Sequence, residues 1–111
     1  DALRLQAAAV APKRTRFDLY ELVASLVDHM QPLARPRRIQ IRLSPPVDGP
    51  YLVSAVVLNV RVAISNLLDN AIKYSYEEKY IDIRISSPGP HLAGANRQGV
   101  VQVVIEDVGV G

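Results

Sequence analysis

Three polar side chains recur at helical spacing in the second half of the chain. Asn66, Asn70 and Lys73 stand at positions i, i+4 and i+7, so they share one face of a helix. Two carboxamides and one ammonium group on one face suit a metal-bound polyphosphate better than a solvated surface. We predict that apolar residues of the same segment cover the opposite, buried face; they are Leu67, Leu68, Ala71 and Ile72.

A second polar motif follows an apolar segment at the end of the sequence. Glu106 and Asp107 precede the alternating glycines Gly109 and Gly111. We predict that Asn70 and Asp107 line one cavity. The two motifs together indicate a nucleotide site of which this chain holds only a part.

Length and composition are those of one globular domain. The chain has 111 residues, of which 49% are apolar and 22% are charged. Its net charge of +2 is too small to argue for a nucleic-acid partner, and the absence of cysteine excludes disulfides and thiolate metal sites. We find no apolar run long enough to span a bilayer and no signal peptide. From its first and last residues, Asp1 and Gly111, we expect an excised fragment of a longer protein.

Two helices would position the polar groups. The first is predicted to begin after Asp18, which has Glu21 three residues later as in a capping box, and to end near Pro36. The second is predicted over residues 58–74. We interpret the basic cluster between the helices as a solvated loop; it comprises Arg35, Arg37, Arg38 and Arg42.

Five segments have the alternation or the β-branched character of strands. They are residues 13–17, 39–43, 51–57, 80–85 and 100–105. Strands joined by short connections favour a mixed, mostly antiparallel sheet with the helices on one face. We therefore predict the α+β class, as a two-layer α/β sandwich.

These motifs resemble those of a known family. The segment from Asn66 to Ser75 resembles the N box of bacterial sensor histidine kinases, and the segment from Asp107 to Gly111 resembles their G1 box. Residues 17–43 resemble the helix and strand that lead into the same domain. The resemblance implies the Bergerat ATP-binding fold of the GHKL proteins, incomplete at the C-terminus. It also implies that residues 13–111 are the N-terminal part of that domain, and that residues 1–12 are a linker or the tail of the preceding dimerisation helix.

The resemblance implies roles for the N box side chains. Asn70 would ligate Mg²⁺ through its amide oxygen, and Asn66 would assist with the metal or with bound water. Lys73 would neutralise phosphate charge, and Tyr74 would lie near the nucleotide. ATP-hydrolysing relatives have a glutamate at the position of Asn66, whereas an amide is a poor general base. The expected chemistry is therefore transfer of a phosphoryl group rather than rapid hydrolysis. Asp69 faces about 100° away from Asn70, which argues against a role as a base.

The G1 box residues would read the base. Asp107 would accept a hydrogen bond from the adenine amino group, which favours adenine over guanine because guanine has a carbonyl at that place. Gly109 and Gly111 would let the backbone approach the nucleotide without a Cβ clash.

The implied protein is the ATP-binding module of a two-component sensor kinase in the cytoplasm, whose parent could have an anchor in the inner membrane. It would transfer phosphate from Mg-ATP to a histidine on a dimerisation domain outside this chain, in a phosphorelay that continues to a response regulator. His29 is rejected as that histidine, because Pro32 follows too early and no acidic residue comes next. We expect the fragment itself to bind ATP weakly or not at all, and to self-associate through residues 100–105.

Two alternatives stay open at the level of sequence. One is a serine kinase of the anti-sigma type or another GHKL ATPase. The other is a degenerate, non-catalytic module that binds protein partners. One departure from the family pattern stands before the N box, where Val56 and Asn59 replace an acidic residue and an arginine.

Overall fold

The computed structural model describes residues 13–47, 49–75, 79–87 and 101–108. Its strands are β1 (Thr15–Asp18), β2 (Gln40–Leu43), β3 (Leu52–Ala55), β4 (Tyr80–Ser86) and β5 (Gln102–Val108). Its helices are α1 (Leu19–Ala34), a 3₁₀ turn (Arg35–Arg37) and α2 (Val57–Tyr74). Among these helices, none is both long and apolar enough to cross a membrane.

The described strands form two sheets. β1 pairs with β3 in antiparallel fashion. The larger sheet has the order β2-β4-β5, with β2 parallel and β5 antiparallel to the central strand β4. The neighbours β2 and β3 therefore belong to different sheets rather than to one hairpin. The predicted α+β class with a mixed, mostly antiparallel arrangement is confirmed.

One hydrophobic core joins the helices to the larger sheet. Ile81, Ile83 and Ile85 alternate along β4 and are all buried. They belong to the same core cluster as the buried sides of α1 and α2. Because successive side chains of a strand point to opposite faces, Asp82 and Arg84 lie on the other face. Both helices thus cover one face of this sheet, as a two-layer sandwich requires.

The first helix has a clear start and a clear end. The Asp18 carboxylate accepts a hydrogen bond from Tyr20 N at 2.9 Å, which confirms the predicted N-cap. At the other end, Arg38 adopts the left-handed conformation with φ 56°. Its N–H donates to Arg35 O, and Ile39 N–H donates to Ala34 O. This is the Schellman arrangement, with arginine where glycine is usual.

Two predicted boundaries are wrong. Residues 51–57 were expected to be one strand, but β3 covers only Leu52–Ala55 and α2 begins at Val57. The β-branched valines there favour a strand locally, and the packing of α2 overrides that preference. The last strand does not end at Ile105 but runs through Asp107 to Val108, because its backbone pairs with β4 as far as Tyr80. Asp107 therefore lies within β5 rather than after it.

The interpretation of the arginines as a solvated loop is also wrong for two of them. Arg42 forms a two-point ion pair with Asp82, with Nε–Oδ1 and Nη2–Oδ2 distances of 2.5 and 2.8 Å. Its guanidinium lies 4.0 Å from the centre of the Tyr80 ring. Arg37 is half-buried and contacts the end of α2. These partners could not be predicted from local sequence, since each lies at least 35 residues away along the chain.

Candidate functional site

The exposed side of α2 carries the predicted polar stripe. Asn66, Asn70 and Lys73 are all exposed, while Leu68 and Ile72 are buried against the core. The helical period thus places the two amides and the ammonium group as the spacing predicted. It also follows that this face is not used for packing within the described residues.

One residue of the predicted buried face is misplaced. Leu67 is 57% exposed. At about 100° per residue, Leu67 lies about 60° from Asn70 around the helix axis but about 100° from Leu68. It therefore lies at the edge of the polar stripe. Ala71 is half-buried, as its position beside Ile72 requires. The candidate site therefore has an apolar margin at Leu67.

Lys73 is already paired within the helix. Its ammonium lies 3.0 Å from Asp69 Oδ2, one turn earlier. The hydrogen bond to Asp69 and the charge of that carboxylate raise the pKa of Lys73 above its ordinary value. Lys73 therefore stays positively charged at neutral pH. A phosphate group would have to share this ammonium with Asp69 or displace the carboxylate.

Tyr74 ends the helix with its side chain in solvent. It is 80% exposed and is not among the described residues that pack against the core cluster. An exposed phenol at the end of the amide stripe is available to a ligand. Its role near the nucleotide stays a prediction.

Ser75 joins the end of α2 to Asp107. The serine is only 3% exposed and is the one buried polar residue in the described segments. Its Oγ lies 3.0 Å from Asp107 Oδ2 and 2.5 Å from Ala71 O. The last residue of the segment that resembles the N box and the first residue of the segment that resembles the G1 box are therefore in direct contact. The two motifs that sequence alone proposed to be neighbours meet at this hydrogen bond.

Arg37 holds the same end of α2 from another direction. Its guanidinium donates to the carbonyls of Ile72 and Ser75. The last carbonyls of a helix have no partner within the helix, and a cation is favourable there because of the helix dipole. The 3₁₀ turn after α1 thus fixes the position from which Ser75 reaches Asp107.

The donors present fit magnesium that arrives with a triphosphate. The described residues contain no cluster of three or more histidine, cysteine or acidic side chains that could hold a metal by themselves. Mg²⁺ commonly takes one or two protein oxygens and fills its remaining positions with phosphate and water. The exposed amide of Asn70 can supply one such oxygen. Gly109 and Gly111 lie outside the described residues, so the shared cavity stays a prediction.

Sequence reasoning missed two residues of this site, Ser75 and Arg37. Ser75 was visible in principle, because it stands three residues after Ile72 and seven after Leu68, on the buried side of the helical period. A buried hydroxyl needs a partner, which could have pointed to a neighbouring acid. Arg37 carried no such signal, since a single arginine in a basic segment is typical of a surface.

Comparisons with known proteins agree on one group of relatives. No family model matches the chain. The sequence is 27% identical over 112 residues to the sensory/regulatory protein RpfC of Xanthomonas campestris pv. campestris, which covers the whole chain but 15% of RpfC. The cytoplasmic segment of histidine kinase QseC is 25% identical with a TM-score of 0.60, over 76% of this chain and 60% of that one.

A third similar protein was solved as part of a complex. The histidine kinase ThkA, solved with the response regulator protein TrrA, is similar to 65% of this chain with a TM-score of 0.58 and 24% identity. The match covers 21% of the ThkA chain. At this identity the likeness is one of fold.

Proposed function

Since the chain has the fold of histidine kinase catalytic domains, we propose that it is the ATP-binding part of a two-component sensor kinase. It spans 15% of the length of RpfC and 60% of the QseC segment. The proposed activity is therefore that of a longer protein. In that protein the chain would bind Mg-ATP, and the phosphoryl acceptor would be a histidine on a dimerisation domain.

One observation carries the proposal. Asp107, the residue proposed to read adenine, is hydrogen-bonded to the end of the helix that presents the two amides. An amide stripe alone would be an ordinary solvated face, and an acid on a strand alone would be an ordinary surface acid. Their connection through Ser75 supports a single site in which one part binds the triphosphate and the other reads the base.

Each side chain has a proposed task that its surroundings permit. Asn70 supplies an amide oxygen to Mg²⁺, which would neutralise charge on the phosphates. Lys73 adds a second positive charge, and Tyr74 lies beside the nucleotide. Asp107 accepts a hydrogen bond from the adenine amino group. Gly109 and Gly111 are proposed to border the base.

The proposed reaction is phosphoryl transfer rather than hydrolysis. Asn66 is exposed and has an amide, which cannot take a proton from water as a carboxylate can. Catalysis would rest on positioning and on neutralisation of phosphate charge. Asp69 is engaged by Lys73, which disfavours it as a base.

The proposed partners follow from the longer relatives. ThkA was solved with a response regulator, and we propose a response regulator as the downstream partner of the parent protein. We also propose that the isolated chain binds ATP weakly or not at all. The proposed place of action is the cytoplasm.

The test uses the full gene product that contains this chain. Calorimetric titration with ATP, with and without Mg²⁺, should show binding that Mg²⁺ strengthens. Asn70→Ala should remove that dependence on Mg²⁺. Asp107→Asn should weaken ATP binding by about tenfold, as the loss of a hydrogen bond to a charged group predicts.

A control variant tests whether the histidine of this chain, rather than one outside it, accepts the phosphoryl group. His29 is exposed on α1 and far from the amide stripe in sequence. His29→Ala should leave autophosphorylation unchanged. Binding of ATP that is unaffected by both Asn70→Ala and Asp107→Asn would refute the proposed function.

A further inference from the structure

We propose that Ser75 is a positioning residue that orients the Asp107 carboxylate and thereby sets the preference for adenine. The inference rests on the proposed function, because it deepens the role assigned there to Asp107. It concerns a hydroxyl to which the proposed function assigns no nucleotide contact and which lies outside the stripe of amides.

The direction of the hydrogen bond follows from counting protons and acceptors. The Ser75 hydroxyl has one proton and two neighbouring acceptors, Ala71 O and Asp107 Oδ2. Ala71 O already accepts the backbone N–H of Ser75 at 3.1 Å. A hydrogen bond to a carboxylate is stronger than one to a second neutral carbonyl. The hydroxyl oxygen lies 2.5 Å from Ala71 O and 3.0 Å from Asp107 Oδ2, so its one proton is shared between the two acceptors, and Asp107 receives a hydrogen bond from Ser75.

The surroundings make this donor rigid. Ser75 is 3% exposed, so water does not compete for its hydroxyl. Its own carbonyl is held by Arg37 at 2.5 Å. The serine is thus fixed at both its backbone and its side chain before any ligand arrives.

A carboxylate held by one oxygen leaves the other for recognition. Ser75 engages Oδ2 of Asp107, and within the described residues no side chain bonds Oδ1. Fixing Oδ2 restricts rotation of the carboxylate, so Oδ1 has a defined direction before binding. An acceptor that is already oriented loses less conformational freedom when it accepts a hydrogen bond from the amino group of adenine.

The experiment compares two nucleotides that differ only in the group Asp107 is proposed to read. ATP and purine riboside triphosphate, which lacks the 6-amino group, are titrated into the full gene product. Wild type should prefer ATP by about tenfold. Ser75→Ala should reduce this ratio several-fold toward the value of Asp107→Asn, by weakening ATP alone. Ser75→Thr, which keeps the hydroxyl, should restore it.

This ratio separates positioning from stability. A loss of folded protein lowers the apparent affinity for both nucleotides equally and leaves their ratio unchanged. Should Ser75→Ala not fold, Ser75→Cys keeps a similar volume with a weak donor and should lower the ratio in the same way.

A second measurement needs no nucleotide. Urea unfolding of Ser75→Ala, Asp107→Asn and the double variant gives a double-mutant cycle. We expect the double variant to be no less stable than the worse single variant. Strict additivity would overturn the inference.

The outcomes distinguish the two claims. If the wild type prefers ATP through Asp107 and Ser75→Ala keeps the full preference, the positioning role is wrong and the proposed function stands. If the wild type does not bind ATP, both are wrong.

Discussion

At the scale of single residues, two ion pairs lie on the face of the larger sheet that points away from the helices. Asp82 has the Arg42 guanidinium as a two-point hydrogen-bond partner. That bond, together with the charges of Arg42 and Arg84, holds the pKa of Asp82 below its usual range, although partial burial opposes the shift. A second ion pair joins Arg84 to Glu106 at 2.8 Å. The outer face of the sheet therefore has oppositely charged side chains paired across neighbouring strands.

The lowered pKa of Asp82 predicts how stability depends on pH. Because the carboxylate is favoured in the folded state, its contribution is present above the unfolded-state pKa near 3.8 and is lost as the pH falls through the lowered folded-state value. We expect Asp82→Asn to reduce the free energy of unfolding by less than about 1 kcal/mol at pH 7, as for other surface pairs.

Urea unfolding of wild type and Asp82→Asn between pH 2 and pH 7 checks this. The two curves should converge at the acidic end. A difference that persists at pH 2 would show that Asp82 stabilises the fold through packing rather than charge.

The sequence could predict which residue types belong to the candidate site, but only some of their contacts. Asn66, Asn70 and Lys73 were placed correctly because a helical period is a local property. The pairing of Lys73 with Asp69 is equally local, at i and i+4. By contrast, the contact between Ser75 and Asp107 spans 32 residues, and its geometry depends on how α2 and β5 pack.

At the scale of elements, the end of α2 depends on one distant side chain. Arg37 donates to the carbonyls of Ile72 and Ser75. We expect Arg37→Ala to lower the free energy of unfolding by about 1–3 kcal/mol, because two carbonyls lose a charged donor. It should also weaken ATP binding by the parent protein, since Ser75 loses its anchor.

The neighbouring arginine provides a matched control. Arg35 is exposed and begins the same 3₁₀ turn. Arg35→Ala should change stability by less than about 0.5 kcal/mol, as is usual for surface substitutions. Equal losses for Arg35→Ala and Arg37→Ala in urea unfolding would show that net charge, not the cap, is responsible.

Prediction of the elements succeeded where local signals agree with the packing. The start of α1 was found because Asp18 is both a good cap and followed by an apolar period. The start of α2 was placed one residue late, at 58 rather than at Val57, because Val56 and Val57 are strand formers and Val56 offers no side-chain cap. The pairing of β2 with β4 rather than with β3 is a property of the assembled sheet, and no residue in β2 signals it.

At the scale of the whole molecule, β5 is an edge strand of the described sheet. It pairs with β4 on one side, and the described sheet ends there. Unpaired strand edges attract other strands. We expect the 111-residue chain by itself to self-associate with rising concentration, as sedimentation analysis would detect.

A charge on the edge tests this expectation. Val104 lies in β5, opposite Arg84 of β4. Val104→Glu should shift the chain toward monomer, because charged residues discourage edge pairing. Val47→Glu is the matched control, since Val47 is 84% exposed and lies outside the strands. Equal shifts for both variants would attribute the effect to overall charge.

The hydrogen bonds from Arg37 to the end of α2 have a mechanical consequence. Arg37 stands three residues beyond the end of α1, and its guanidinium is bonded to the last turn of α2. A movement of the first helix can therefore reach the turn that holds Asp107 by two routes, through the core that both helices share and through this one arginine side chain.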